Sequence, residues 1–203
     1  VFENNTSDDD GGALLLDAST LTDVIGTSYL GNTGKKGGAI YMVGGSATVK
    51  SAIFRSNVAT VEGGAVAATG TPSTFVVERN QFQLNDAVAD GGALALRDFT
   101  AGTGFVRNNR LQDNEAGASG GAIAVVGAGG AIAIHNNTFT GNIAANEGAA
   151  IAVRLTASAD DIQAIANVMH SNDGLSALFV SNGLSAFVQY NTGFGTNSGI
   201  HFG

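Results

Sequence analysis

The chain has 203 residues, enough for one domain or one solenoid, and 44% of them are hydrophobic, so a sizeable core can be buried. Its net charge of −8 disfavours nucleic acid and anionic lipid as partners, and the absence of Cys excludes disulfide frameworks, thiolate metal sites and Cys nucleophiles. Gly is frequent at 30 residues while Pro occurs once, at Pro72, a balance that suits many tight turns between short strands and not collagen.

In chain order, the sequence opens on Phe2 with Asn5 three places later, passes an acidic run, Asp8-Asp9-Asp10, and reaches Gly11-Gly12-Ala13-Leu14. The same two signals then alternate. Tyr29/Asn32 precedes Gly37-Gly38-Ala39-Ile40, and Phe54/Asn57 precedes Gly63-Gly64-Ala65-Val66. Phe82/Asn85 precedes Gly91-Gly92-Ala93-Leu94, and Leu111/Asn114 precedes Gly120-Gly121-Ala122-Ile123. Phe139/Asn142 precedes a weakened copy, Gly148-Ala149-Ala150-Ile151, and Met169/Asn172 and Phe194/Asn197 carry the first signal onward. The second glycines, Gly12, Gly38, Gly64, Gly92 and Gly121, step by 26 to 29 residues, and the apolar-x-x-Asn landmarks by 25 to 30. Two independent signals that keep one period mean a repeat architecture.

The paired Gly-Gly-Ala-aliphatic and Phe-x-x-Asn motifs resemble the repeats of the chlamydial polymorphic outer membrane proteins, and the resemblance runs over essentially the whole chain. Those proteins are autotransporter adhesins with β-helical passengers, so the resemblance implies a right-handed parallel β-helix at a cell surface. The chain departs from them in carrying no translocator barrel and no Cys.

The residues between the landmarks read as strands. After each Gly-Gly, larger apolar residues alternate with small ones, a period of two. A second strand precedes each landmark, at Phe75 to Glu78, Phe105 to Arg107, Ile132 to His135 and Ile162 to Ile165. Two short strands and their turns in roughly 28 residues make one coil, and identical positions stack about 4.8 Å apart. The expected fold is a single right-handed parallel β-helix over residues 1–203, with seven to eight coils. Leu14, Ile40, Val66, Leu94, Ile123, Ile151 and Leu178 should form one inward column, and Leu16, Met42, Leu96, Val125, Val153 and Val180 a second, with the landmark residues as a third. Asn57, Asn85, Asn114, Asn142 and Asn172 should form a side-chain ladder along the axis, and Asn80, Asn109, Asn137 and Asn167 another. The second glycines should share one angular position, where the turn requires positive φ or close backbone approach.

The functional expectation is a non-enzymatic, extracellular structural or adhesive module. The carboxylates do not gather as a Ca²⁺ cage or an acid–base pair would require: Asp8, Asp9 and Asp10 are consecutive, so their side chains splay, and Asp160-Asp161 falls at another angle. His135, His170 and His201 do not converge, no nucleophile elbow is present, and no catalytic residue, metal ligand or cofactor is assigned. The alternative is a polysaccharide-binding or polysaccharide-cleaving β-helix of the pectate-lyase-like type. It is weakened by the lack of Trp and by a Tyr set of only Tyr29, Tyr41 and Tyr190. Two outward features stand out: a mixed ladder of Lys50, Glu78, Arg107, His135 and Ile165, and a flat face of Ala65, Ala67, Ala93, Ala95, Ala122, Ala124, Ala150 and Ala152. The alanine face is the candidate contact surface for other proteins or for copies of the chain. Neither terminal coil carries a capping helix or a charged, Pro-bearing edge, so the coil ends are expected to be open. That fits a fragment of a longer β-helix or subunits stacked into a fibre. Asn4, Asn5 and Asn136 head glycosylation sequons, which matter only in a eukaryotic secretory pathway.

Overall fold

The computed structural model describes residues 1–71, 74–99, 103–127, 130–155, 162–181, 186–189, 191–194 and 199–202. The predicted positions Pro72, Asp160, Asp161, Tyr190 and Asn197 lie outside the described residues. The described chain is built of strands two to six residues long, joined in parallel into four sheets that run the length of a β-solenoid. Every strand of a sheet comes from a different winding, as the sequence period requires.

The landmark wall holds eight strands: Phe2–Glu3, Ser28–Leu30, Ile53–Arg55, Gln81–Gln83, Arg110–Gln112, Thr138–Thr140, Val168–His170 and Thr192–Phe194. A short wall follows it with Thr33–Lys36, Val58–Glu62, Asp86–Ala87, Glu115–Ala116 and Ile143–Ala144. The glycine wall comes next: Leu14–Asp17, Ile40–Val43, Val66–Thr69, Leu94–Arg97, Ile123–Val126, Ile151–Arg154, Leu178–Ser181 and Ile200–Phe202. The back wall closes each turn with Thr20–Ile25, Ser46–Lys50, Thr74–Glu78, Thr103–Arg107, Ala131–His135, Ile162–Ile165 and Ala186–Gln189.

Each coil therefore has up to four strands where the sequence pattern gave two, because the landmark and the stretch after its Asn each make a short strand of their own. About six turns are complete, slightly fewer than the seven to eight expected. The first and last windings add strands to some walls only, and the short wall has five among the described residues.

Register follows the predicted columns. Leu14, Ile40, Val66, Leu94, Ile123, Ile151 and Leu178 are successive partners on the glycine wall, and Leu16, Met42, Leu96, Val125, Val153 and Val180 lie on the parallel rank, with Ala68 between Met42 and Leu96. The landmark residues stack behind them. The rings of Phe2, Tyr29, Phe54 and Phe82 lie nearly parallel at centroid spacings of 5.1, 4.7 and 4.7 Å, close to the strand separation. Leu111, Phe139 and Met169 continue the column. At the last winding the register departs from the predicted repeat: Gly193, not Phe194, pairs with Met169, and Phe194 stands opposite His170.

Candidate contact surfaces and the bonds beneath them

The corners of the solenoid are set by the residues that adopt a left-handed backbone. Ser56, Leu84, Asp113, Gly141 and Ser171 all have positive φ, and each immediately precedes a landmark Asn. Arg79, Asn108, Asn136 and Ala166 do the same before Asn80, Asn109, Asn137 and Asn167. The turn aims the next side chain, the Asn, back under the strands.

There the amides form two ladders parallel to the axis. Asn85 Nδ2 donates to the Phe54 carbonyl at 3.1 Å and to Asn114 Oδ1 at 2.9 Å, while its Oδ1 accepts from the Asn57 backbone N–H at 3.1 Å and from Asn57 Nδ2 at 2.9 Å. Each interior rung thus meets both donors and both acceptor directions of its amide, which is how a buried polar group is kept inside a protein without penalty. Asn57, Asn85, Asn114, Asn142 and Asn172 lie in this ladder, and Asn5 and Asn32 extend it into the first winding. The second ladder joins Asn80, Asn109, Asn137 and Asn167, and Asn191 adds a rung at 3.0 Å. Where that ladder reaches Ala52, only the backbone N–H is left to donate to Asn80 Oδ1.

The second glycines, Gly12, Gly38, Gly64, Gly92 and Gly121, share one corner, and it is close approach that requires them. A Cβ on Gly92 would stand 2.1 Å from the Gly121 carbonyl oxygen and 2.4 Å from that of Glu115. Ala149 occupies this position in the sixth winding. There the neighbouring coil presents Gly174, at which a Cβ would come within 3.1 Å of Ala149 Cβ.

The alanine face is not a free surface. Ala65, Ala93, Ala122 and Ala150 are fully buried and belong to the main core, because the Gly-Gly corner breaks the alternation and turns both the Ala and the aliphatic residue after it inward. Ala67, Ala95, Ala124 and Ala152 do stand on the outer side, yet none is more than 2% exposed. Tyr41 packs against Ala67 and Ala95 in a small outer cluster, and two arginines stand on the same wall. Arg97 and Arg154 rise from the far ends of their strands and reach back to the residues that precede the Gly-Gly corners. Arg97 Nε meets Glu62 at 2.6 Å and its Nη2 meets Asp90 at 3.2 Å. Arg154 meets Glu147 at 2.9 Å, Asp90 at 3.5 Å and the Ser119 hydroxyl.

Glu62 and Asp90 are buried carboxylates neutralised by these guanidinium groups. Burial works against the charge of Arg97, but its bonds to Glu62 and the nearby Asp90 and Asp98 outweigh this and raise its pKa. The hydrogen bond from Arg154 holds the Glu147 carboxyl below its usual value. The network was missed in the sequence, although the residue before each corner (Asp10, Lys36, Glu62, Asp90, Ser119, Glu147) recurs in phase with the repeat.

On the back wall Lys50, Glu78, Arg107, His135 and Ile165 are successive partners, as their spacing implied. Glu78 lies within 3.2 Å of both Arg79 and Arg107 and 4.0 Å from Lys50. Burial pushes the His135 pKa down. One residue of this face was missed: Phe105 is partly exposed on the outer side, with the Arg107 guanidinium 5.5 Å from its ring centroid. Asp9 is exposed and pairs with Lys35 at 3.6 Å, and Asp10 accepts from the Lys36 backbone N–H. Among the described residues no three His, Asp or Glu side chains gather closely enough to hold a metal ion, and no helix is long and apolar enough to cross a membrane. Asn4 and Asn136 are exposed in left-handed turns, whereas Asn5 is tied to Asn32.

Fold and surface together define a repeat-built parallel β-solenoid whose polar interior is committed to bonds between coils. The family model described as the Chlamydia polymorphic membrane protein (Chlamydia_PMP) repeat matches residues 1–17, the stretch from the first landmark through Gly11-Gly12-Ala13-Leu14 to the end of the first glycine-wall strand. No curated protein and no solved structure matches the chain.

Proposed function

We propose that this chain is a non-catalytic structural or adhesive β-helix displayed at a cell surface or outside the cell. The observation that carries this reading is the match of the Chlamydia polymorphic membrane protein repeat to residues 1–17, in a chain whose later windings continue the same parallel fold. The electrostatics support it. The buried carboxylates and guanidinium groups are spent on holding neighbouring coils in register, not on a cleft.

With the outer alanines no more than 2% exposed, the surfaces more open to a partner are the outer faces of the landmark, short and back walls. The first-winding strands Phe2–Glu3 and Leu14–Asp17 pair on one side, with Ser28–Leu30 and Ile40–Val43. Their other edge suits a further parallel winding, of the same polypeptide or of another copy. Beads coated with the chain should attach to host epithelial cells above the level of beads coated with an unrelated β-solenoid, and the purified chain should release no product from acidic or neutral polysaccharides. Attachment at the control level, or turnover of a polysaccharide, would overturn the reading. Electron microscopy of the purified chain separates single particles from end-to-end filaments.

A further inference from the structure

We propose that the outer face of the back wall carries a shallow site for a single neutral saccharide ring, seated against Phe105. The strands Thr103–Arg107, Ala131–His135 and Ile162–Ile165 lie side by side, with Phe105, Ala133 and Gln163 as successive partners. Because Ala133 is small, a gap opens between Phe105 and Gln163, whose strands are two inter-strand steps, roughly 9.6 Å, apart. The gap is a notch of about 230 Å³ lined by Thr103, Phe105, Ala131, Ala133, His135 and Gln163, with Ile132 at its floor. That is smaller than the ~300–1,000 Å³ of most small-molecule sites and has room for one ring.

Its lining is divided in the way a pyranose is divided. Phe105 and the two alanines offer an apolar surface for the C–H face of a sugar. Thr103 and His135 offer a hydroxyl and an imidazole around it, and Gln163, hydrogen-bonded to His135, stands beside them. His135 Nε2 is enclosed and has no hydrogen-bond partner among the described residues, so a ligand hydroxyl would meet a polar demand that the chain leaves open. The charge pattern decides for a neutral ligand. The nearest cation, Arg107, is already paired with Glu78 at 3.2 Å, burial pushes the imidazole pKa down, and the chain as a whole carries −8. A phosphate-bearing or acidic sugar would find no unpaired cation there, and a wholly apolar side chain would leave the demand of His135 Nε2 unmet.

For its biological use this site rests on the adhesive reading, since it names what the surface would hold. Its test is separate. Saturation-transfer NMR of the full chain with maltotriose, cellotriose, triacetylchitotriose and sialyllactose should show transfer to at least one of the three neutral probes and less to sialyllactose. Phe105→Ala should weaken that binding at least tenfold. Ala133→Phe, which fills the notch while leaving every polar group in place, should do the same, and it decides the matter if Phe105→Ala fails to fold. No transfer from any neutral probe, a preference for sialyllactose, or binding unchanged by Ala133→Phe would overturn the site. Cell attachment that persists in Ala133→Phe would remove the notch and leave the adhesive reading standing.

Discussion

Asn114 Oδ1 accepts two hydrogen bonds from Asn85 in the preceding coil, one from its backbone N–H at 3.1 Å and one from its side-chain Nδ2 at 2.9 Å. Asn114 in turn donates to the Phe82 carbonyl at 3.2 Å and to Asn142 Oδ1 at 2.9 Å. Replacing Asn114 by Ala orphans buried groups on both sides, each costing about 1–3 kcal/mol. The expected loss is about 3 kcal/mol or more, read from the midpoint of urea denaturation. Asn114→Asp keeps the acceptor but sets a buried carboxylate against the Phe82 carbonyl, so it should be at least as damaging at neutral pH and partly relieved in acid. A change below about 1 kcal/mol in both variants would show that the ladder does not hold the coils.

Arg97 bridges two buried carboxylates, so Arg97→Met should leave Glu62 without its guanidinium partner and Asp90 with Arg154 alone at 3.5 Å, and cost about 3–5 kcal/mol. The outer end of the network gives a pH signature. Glu147 has a folded pKa below its ordinary 4.5, held there by Arg154. A depressed carboxylate contributes stability above the unfolded value, and this is lost as pH falls through the folded one. The native chain should therefore lose stability below pH 4.5, and Glu147→Gln should lose less over the same range. Identical acid denaturation curves for the two would remove Glu147 from the account.

Much of this was legible because the repeat is written twice, in the glycine pairs and in the landmarks. Column membership, both ladders and the mixed rank on the back wall follow from counting alone. What escaped depends on geometry that counting does not carry. Alternation was extended through the Gly-Gly corner, so Ala65 was placed outward although the corner turns it in. The packing of Tyr41 against Ala67 and Ala95, and the reach of Arg97 from the far end of its strand to Glu62 and Asp90, are invisible in the sequence. Phe194 matched the landmark pattern, yet Asn191 two residues before Gly193 repeats the Asn80–Phe82 spacing and would have given the right register. Phe105 escaped because its strand begins two residues earlier, at Thr103, and its face was left unassigned.

At Gly92 the neighbouring carbonyls leave no room for a Cβ, so Gly92→Ala must push two coils apart. It should destabilise by roughly 3 kcal/mol or more, within the range of severe single substitutions. Ala149→Gly, at the one corner that already holds Ala opposite Gly174, should change stability by less than about 1 kcal/mol. Equal effects from the two would contradict the close approach.

Tyr29 lies in the ring stack between Phe2 and Phe54, and its hydroxyl is buried with no partner among the described residues. Tyr29→Phe removes the orphaned group and keeps the ring, so it should stabilise the chain by about 1 kcal/mol. Burial also pushes the phenol pKa from 10.0 up to about 12. Between those values the unfolded chain gives up a proton that the folded chain keeps, so native stability should fall as pH rises from 10 to 12. This decline should be smaller in Tyr29→Phe. A destabilised Tyr29→Phe would mean that the hydroxyl is bonded after all.

Ala166 adopts φ 54° at the corner that aims Asn167 into the second ladder, a position filled by Asn108 and Asn136 in earlier coils. A residue with a Cβ costs roughly 1–2 kcal/mol in this left-handed region. Ala166→Gly removes that strain. The added freedom of the unfolded chain takes back about 0.4–1 kcal/mol, so a net gain of about 0.5–1 kcal/mol is expected. The reciprocal change belongs at Gly141, with φ 64°, where a Cβ would meet Asp113 Oδ1 at 2.3 Å. Gly141→Ala should therefore lose both the conformational term and the room, while Asn142 beside it stays in its ladder. Urea midpoints measured for both variants test the pair together. If Ala166→Gly is destabilising by as much as Gly141→Ala, the corner is held by contacts of the Ala166 methyl group and not by its backbone, and the left-handed turn ceases to explain how these coils are spaced.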